Sequence, residues 1–298
     1  MTKTITLARY AQRDELVALW QAAFGDQGQS VHYFFDYRFQ PENCLVGTTS
    51  GRVVSMLHML PTEVATDRGS VAAHYIYAAA TLPAEQGQGY MGALLKAAAL
   101  CGEWRGQRYS LLLPSNQGLY EFYARHGYLP HYRTKLVTLS RQELEERAAG
   151  AAVGSAMLPP DVDLADVRNE SLLSQHGSVL WDDAALKYAT NYYGLYGGQL
   201  VAAMQGHQPA YALGLVGETG TCEVLEIIAS SESLPSLAAA LLDKLPAESY
   251  RFRLPAFSLL FGNAGETMPF GMIKLLAGSG VASSELVIVN PYLGLTLD

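Results

Sequence analysis

The chain has 298 residues, of which 49% are hydrophobic and 16% are charged, and its formal net charge is −8 at pH 7. This length is typical of two domains of ordinary size, and the hydrophobic content excludes an intrinsically disordered chain. The acidic balance argues against a nucleic-acid surface and favours cationic partners, because opposite charges attract.

The cysteines and the apolar segments indicate a cytoplasmic protein without a metal centre. Cys44, Cys101 and Cys222 lie far apart and lack the spacing of metal ligands, so we expect reduced, buried thiols. Residues 2–9 alternate polar and apolar side chains, so we expect no signal peptide. No stretch is apolar for long enough to span a bilayer, so we also expect no membrane partner.

The first predicted elements are a strand at residues 4–10 and two helices at residues 14–24 and 30–39. The second helix contains more aromatic rings than one buried stripe can hold. It is either an aromatic core helix or the wall of an acceptor pocket, because surplus aromatic surface marks binding sites. The pocket interpretation assigns four lining residues: His32, Phe35, Asp36 and, from a later strand, Tyr75.

A glycine-rich turn later connects a strand to an amphipathic helix. Strands predicted at residues 44–48 and 52–64 precede it, and the next strand ends at Thr81, before a proline that cannot continue a ladder. Gly87 and Gly89 then leave bare backbone N–H groups at the start of a helix. Such a turn predicts an anion-binding site, because the N–H donors and the helix dipole both favour negative charge.

This turn has two other interpretations. Residues 87–92 also fit the dinucleotide pattern G-x-G-x-x-G, which requires an acidic residue about 20 positions later, after the next strand. That strand and its end, residues 109–116, contain no acid, so a dinucleotide site is disfavoured. A turn that only packs the helix against the strand remains an alternative.

The segment Gln86-Gly-Gln-Gly resembles the R/Q-x-x-G-x-G/A loop of the GNAT superfamily of N-acetyltransferases. The segment that begins at Asn116 is similar to the N-x(6)-Y-x-x-x-G-F/Y motif of the same family, with Tyr123 and Tyr128 in register. The resemblance is strongest over residues 50–140 and points to the Eis-like (enhanced intracellular survival) branch. Gln86 stands where arginine is more frequent, which leaves one fewer positive charge near the pyrophosphate.

The resemblance implies that acetyl-coenzyme A (acetyl-CoA) is the co-substrate. The family loop receives its pyrophosphate, and the second motif follows after one helix and one strand. The implied coenzyme-binding residues are Thr81, Leu82, Gln86, Gly87, Gln88, Gly89, Tyr90, Met91, Gly92 and Asn116.

Acetyl transfer requires an unprotonated amine and a hydrogen-bond donor for the departing thiolate. Tyr123 is the predicted donor, because its helix places it near the splayed strand ends and its phenol can donate to sulfur. Tyr120 and His126, on the same helical segment, are the alternatives.

The general base has several candidates. His74 lies on the strand that enters the loop, and His58, Glu63 and Tyr75 are predicted to lie nearby. Resemblance to the Eis-like branch implies a different general base, the chain's terminal carboxylate, which enters the active site. Here that group would be the α-carboxylate of Asp298.

The composition changes after a predicted strand at residues 132–139, where an Ala/Gly/Ser-rich segment ending in Pro-Pro predicts a linker. The second half repeats the strand and helix order of the first. Its corresponding loop, however, contains Glu232 and no glycine, so it would repel a phosphate. The predicted domains are a catalytic domain at 1–145, a linker at 146–160 and a degenerate domain at 161–298.

The predicted fold class is α/β, with tandem acetyltransferase (GNAT) domains that each have a mixed, mostly antiparallel central sheet flanked by helices. The predicted function is acetyl-CoA-dependent acetylation of a primary amine on a small cationic acceptor, by direct attack on the thioester. A mycothiol-synthase-like thiol-conjugate acetyltransferase and a non-catalytic acyl-CoA-binding sensor are the alternatives. The expected partner is a small-molecule amine, and homo-oligomerisation is left open.

Overall fold

The computed structural model describes residues 3–26, 28–151, 162–277 and 291–296. The helices are α1 (Arg13–Phe24), α2 (Gln29–Tyr37), α3 (Tyr90–Trp104), α4 (Gln117–Ala124), α5 (Arg141–Ala148), α6 (Leu164–Leu173), α7 (Asp183–Gly194) and α8 (Leu234–Lys244). The strands are β1 (Lys3–Leu7), β2 (Cys44–Thr49), β3 (Arg52–Thr66), β4 (Gly69–Thr81), β5 (Tyr109–Leu112), β6 (Leu129–Pro130), β7 (Arg133–Ser140), β8 (Val179–Leu180), β9 (Gln199–Gln205), β10 (Gln208–Val216), β11 (Thr221–Ile228), β12 (Ser249–Pro255), β13 (Glu266–Pro269) and β14 (Met272–Leu275).

The chain divides into two compact units. The first unit contains Met1–Val64, Ser70–His131 and the segment that begins at Gly271 and carries β14. The second unit contains Ala65–Gly69, Tyr132–Phe270 and the described residues 291–296. Each unit has its own sheet and its own hydrophobic core, as expected for a chain of this length.

The sheet of the first unit has the strand order β1-β2-β3-β4-β5-β14-β6. Strands β4 and β5 are parallel, whereas the β1–β2, β2–β3, β5–β14 and β14–β6 pairs are antiparallel. Leu94, Leu95 and Ala98 of α3 pack against one face of this sheet, together with Ile76 of β4. Tyr77, the next residue of β4, faces the other side, as strand alternation requires, and packs on an aromatic cluster from α1 and α2.

The sheet of the second unit has the order β13-β7-β12-β11-β10-β9. It also has one parallel pair, β11 and β12, among antiparallel neighbours. Leu237 and Leu241 of α8 pack with Val224 and Phe252 in its core. The predicted fold class, mostly antiparallel sheets flanked by helices in two successive units, is confirmed.

Strands β7 and β14 do not join the sheet that their position in the sequence suggested. Strand β7 falls in the predicted first domain but pairs with β12 and β13 in the second unit. Strand β14 falls in the predicted second domain but pairs with β5 and β6 in the first unit. A local pattern predicts that a strand forms, whereas its sheet is chosen by distant partners. Most of the predicted linker, residues 152–160, lies outside the described residues.

A buried ion pair fixes the last described segment of the second unit. Arg168 Nε lies 3.1 Å from Glu226 Oε2, and both side chains are fully buried. Tyr211 donates a hydrogen bond to Glu226 at 2.7 Å, and Arg168 donates to the Val179 carbonyl at 2.7 Å. Gly294 lies directly against this pair: a Cβ at this position would be 2.2 Å from Arg168 Nη2 and 2.8 Å from Glu226 Oε1.

The Gly294→Ala substitution should destabilise the protein by about 3 kcal/mol or more, because displacing one partner of a buried ion pair is costly. The matched control is Gly262→Ala. Gly262 also has positive φ, but a Cβ there would meet nothing within 4 Å, so only backbone strain of about 1–2 kcal/mol is expected. Denaturant unfolding measures both free energies, and equal losses in the two variants would contradict the packing role of Gly294.

Candidate active site

The loop between β4 and α3 is built on two left-handed glycines. Gly87 has φ +74° and Gly89 has φ +81°, a region that L-residues with a Cβ rarely adopt. A Cβ at either position would meet nothing within 4 Å, so backbone conformation and not space requires glycine there. Gly89 is the N-cap of α3, and no side chain caps it. The first N–H groups of a long helix therefore lack a capping side chain, which suits an anion.

The corresponding loop of the second unit is closed by its own side chains. Ser230 N–H donates to Ser233 Oγ at 3.0 Å, and Ser233 N–H donates to Ser230 Oγ at 3.1 Å. Glu232 accepts a hydrogen bond from Gln208, and a proline occupies the first turn of α8. This loop offers fewer N–H donors than the first and carries a negative charge. A phosphate needs free N–H donors and is repelled by a carboxylate, so the second loop is less suited to bind one.

Strands β4 and β5 pair over a short register only, from Ala73↔Tyr109 to Tyr75↔Leu111. Strand β4 continues to Thr81 and contains Ala78, a non-glycine residue with φ +47°. Such an irregularity bends a strand and re-aims its side chains, and it is common next to active sites. No local sequence signal marks Ala78 for this conformation.

Thr81 and Leu82 are anchored to β3. Thr81 Oγ1 lies 2.7 Å from Ser55 Oγ, and the Leu82 N–H donates to the Val54 carbonyl at 2.9 Å. Leu82 is one of the predicted coenzyme-binding residues, and its N–H group is already bonded to β3. The anchor fixes the start of the loop relative to the sheet.

The remaining loop residues divide into polar and packing positions. Gln86 Nε2 donates to the Thr81 carbonyl, and Gln88 Nε2 donates to Glu85. Tyr90 is 2% exposed and packs on β2, while Met91 packs at the edge of the core. A Cβ on Gly92 would lie 2.8 Å from the His126 ring, so Gly92 permits the close approach of that ring to α3.

Helix α4 presents the predicted hydrogen-bond donor. Asn116 is its N-cap and accepts from the Leu119 N–H at 3.2 Å, so its oxygen serves the helix. Tyr123 is 8% exposed, and burial raises the pKa of its hydroxyl to about 12. The phenol is thus protonated at neutral pH, and in the described part of the chain no group hydrogen-bonds its oxygen. Tyr120, by contrast, accepts from the Gly271 N–H at 3.2 Å.

The histidines proposed as bases are buried. His74 is fully buried, its Nδ1 lies 2.7 Å from Gln107 Oε1, and burial lowers its pKa to about 4. His58 is 1% exposed within rings that include Phe34 at 4.7 Å, and burial lowers its pKa to about 3. Neither imidazole reaches the surface, so a substrate cannot contact it in this structure.

Glu63 lies at the opposite end of β3 from the loop. Ser70, near the start of β4, donates to Glu63, whereas Ser55 contacts Ala80 and Thr81 beside the loop. Residues 55 and 63 are separated by roughly 26 Å along an extended strand. Glu63 is therefore too far from the loop to act as the base. Asp298 lies outside the described residues.

The four predicted pocket residues do not line one pocket. His32 and Asp36 lie on the exposed face of α2, where Asp36 pairs with Arg13. Phe35 is buried against Trp20, at 5.9 Å between ring centroids, and Tyr75 is buried on β4. The surplus rings of α2 are thus explained mainly by a core cluster that includes Trp20.

No metal-binding group was found in the described ranges: among them, no cluster of three or more His, Cys, Asp or Glu residues could hold an ion. Cys44, Cys101 and Cys222 are free thiols. No helix within these ranges is long and apolar enough to cross a membrane.

Residues 4–130 match the family described as acetyltransferase (GNAT) domain. This match supports an acyltransferase. No curated protein matches the sequence. Over residues 4–130 the resemblance to the GNAT family that the two motifs predicted is confirmed.

Solved structures with similar folds span most of the chain. A GCN5-related N-acetyltransferase from Kribbella flavida has 14% identity and a TM-score of 0.74, covering 92% of this chain and 71% of that one. Eis1 from Mycobacterium abscessus has 14% identity and a TM-score of 0.70, covering 93% and 74%. A probable N-acyltransferase from Enterococcus faecalis has 15% identity and a TM-score of 0.72, covering 93% and 73%. The TM-scores of these structures support the two-unit fold.

The burial of His58 makes stability depend on pH in the acid range. In the unfolded chain a histidine binds a proton below about pH 6.5, whereas His58 in the fold stays neutral down to about pH 3. The unfolded state therefore binds more protons over this window, and stability falls as pH falls through it. The His58→Phe variant should lose about 2 kcal/mol less than the wild type between pH 7.5 and pH 5.

Urea unfolding at the two pH values measures this difference. His32→Gln is the control, because it removes an exposed histidine and leaves the buried one in place. A parallel loss in wild type and His58→Phe would show that His58 accepts a proton in the fold. Retained turnover in His58→Phe is also expected, since His58 does not reach substrate.

Proposed function

We propose that the first unit binds acetyl-CoA at residues 86–89 and transfers its acetyl group to a primary amine of a small cationic molecule. The uncapped N-terminus of α3, opened by Gly87 and Gly89, is the observation that carries this proposal. The family match over residues 4–130 supports the coenzyme, because the domain is an acetyltransferase domain. The net charge of −8 supports a cationic acceptor.

In the proposed reaction the amine nitrogen attacks the thioester carbonyl carbon, forming a C–N bond while the C–S bond breaks. The products are the N-acetyl amine and coenzyme A, and the nitrogen loses one proton overall. Tyr123 supplies a hydrogen bond to the sulfur as negative charge develops. Because its pKa of about 12 lies above that of an ordinary thiol, Tyr123 stabilises the thiolate as a donor and keeps its own proton.

The acceptor must lose a proton before it attacks. An alkylammonium with a pKa near 10.4 gives up its proton at a cost of about 4–5 kcal/mol at pH 7. The burial of His58 and His74 and the remote position of Glu63 remove these three side chains from the proposal. The α-carboxylate of Asp298 stays a prediction for this role, and activity that rises with pH is expected if bulk solvent takes the proton instead.

Calorimetry should give one acetyl-CoA site per chain, because the second unit's loop uses its N–H groups internally and carries Glu232. Gly89→Glu should weaken binding at least tenfold, about 1.4 kcal/mol, through backbone strain and like charge. Gly206→Glu is the control, since Gly206 has a similar positive φ in a turn of the second unit. Two equal sites per chain, or the same affinity in Gly89→Glu as in the wild type, would contradict the proposal.

Tyr123→Phe should lower turnover by about 100-fold while leaving coenzyme affinity and thermal stability nearly unchanged, because the ring that packs the core is retained. Tyr128→Phe is the matched control. It removes a hydroxyl 2.6 Å from Ser110 Oγ, so it should cost about 1 kcal/mol of stability and little turnover. Release of free thiol, measured over a panel of amines, reports turnover.

Full turnover in Tyr123→Phe would reduce Tyr123 to a core residue. Acetyl-CoA binding by the wild type without turnover on any amine would favour a non-catalytic acyl-CoA sensor over the enzyme.

A further inference from the structure

We infer that Lys3 is a coenzyme-binding residue whose ammonium group contacts the diphosphate of acetyl-CoA and supplies the charge that Gln86 does not. This inference rests on the proposed function of the loop. Lys3 lies on β1, far from the loop in sequence, and neither motif of the family resemblance includes it.

Lys3 already lies against the loop. Its Nζ atom donates a hydrogen bond to the Gln88 carbonyl and sits 4.7 Å from the centroid of the Tyr90 ring. An ammonium group has three N–H donors, so two remain after the bond to Gln88. Both contacts are made at the residues that flank Gly89, where the helix N-terminus begins. The charge is therefore next to the proposed phosphate position before any ligand arrives.

The packing of β1 and β2 explains why Lys3 is held there. In the antiparallel register Lys3 opposes Thr49 and Ile5 opposes Gly47, and strand alternation puts Lys3 and Ile5 on the same face. A Cβ on Gly47 would lie 2.9 Å from the Tyr90 ring, so only glycine lets that ring lie across β2. The Tyr90 ring is buried. It thus provides a fixed surface for the Lys3 ammonium, a cation–π contact.

Among the residues that the structure describes, no carboxylate pairs with Lys3. Arg52 is 3.5 Å from Glu85, and Glu85 also accepts from Gln88 at 3.0 Å, so the charge of Arg52 is offset at the loop. Lys3, in contrast, contacts a neutral carbonyl and a neutral ring. A cation held by neutral groups keeps its full charge for an anion, and hydrogen bonds between an ammonium and a phosphate are among the strong ones.

The alternative is that Lys3 only braces the loop through Gln88. Lys3→Gln separates the two roles, because an amide can still donate to the Gln88 carbonyl but carries no charge. Lys3→Arg keeps the charge and should preserve binding. Lys96→Gln is the matched control, since Lys96 is an exposed lysine on the body of α3, beyond its first turn.

The test is calorimetric binding of acetyl-CoA by these variants at low and high salt, with S-acetylpantetheine, which has no diphosphate, as a second substrate in turnover assays. Lys3→Gln should weaken acetyl-CoA binding about tenfold at low salt. The difference should shrink at 1 M salt, because an exposed charge is then screened within about 3 Å. Turnover of S-acetylpantetheine should be equal in Lys3→Gln and wild type, as should the melting temperatures.

Three results would overturn the inference. These are wild-type affinity in Lys3→Gln, an equal loss with S-acetylpantetheine, or a loss that does not depend on salt. If the wild type itself binds no acetyl-CoA, the proposed function fails along with the inference. If the wild type binds and Lys3→Gln binds equally, only the assignment of Lys3 fails.

Discussion

The candidate site depends on one backbone constraint, the positive φ of Gly87 and Gly89. These two residues turn the chain from β4 into α3 without placing a side chain over the first N–H groups of the helix. The second unit shows what replaces this arrangement when glycine is absent. There Ser230 and Ser233 satisfy each other's N–H groups, which stabilises the loop and removes donors from any ligand. The same supersecondary unit thus leaves its loop without a capping side chain in one case and is closed by its own serines in the other.

Both sheets have a single described parallel pair among antiparallel neighbours, and in both the loop follows the first strand of that pair. The difference in proposed function therefore comes from the loop and not from the sheet. In the first unit the pairing of β4 with β5 is short and Ala78 adopts a left-handed conformation. Such local backbone features shape a site and can differ between two units that share the same fold.

The sequence predicted what local patterns determine and missed what distant contacts determine. The glycine loop, the α4 motif and Tyr123 each follow from a short run of residues, and the structure contains the elements that those runs predicted. The sheet membership of β7 and β14, the full burial of His74 and the distance of Glu63 from the loop depend on tertiary pairing. Lys3 was missed for the same reason, because its contact with Gln88 spans 85 positions.

The place of β14 between β5 and β6 has a consequence for synthesis of the protein on the ribosome. Met272–Leu275 are translated long after β5 and β6. Until β14 emerges, these two strands lack the strand that pairs with both of them. The second unit also depends on a late segment, because the Arg168–Glu226 ion pair packs against Gly294, which emerges still later. Each core therefore closes only after a late segment of the chain has emerged, and until then the first sheet presents the unpaired edges of β5 and β6 to other nascent chains.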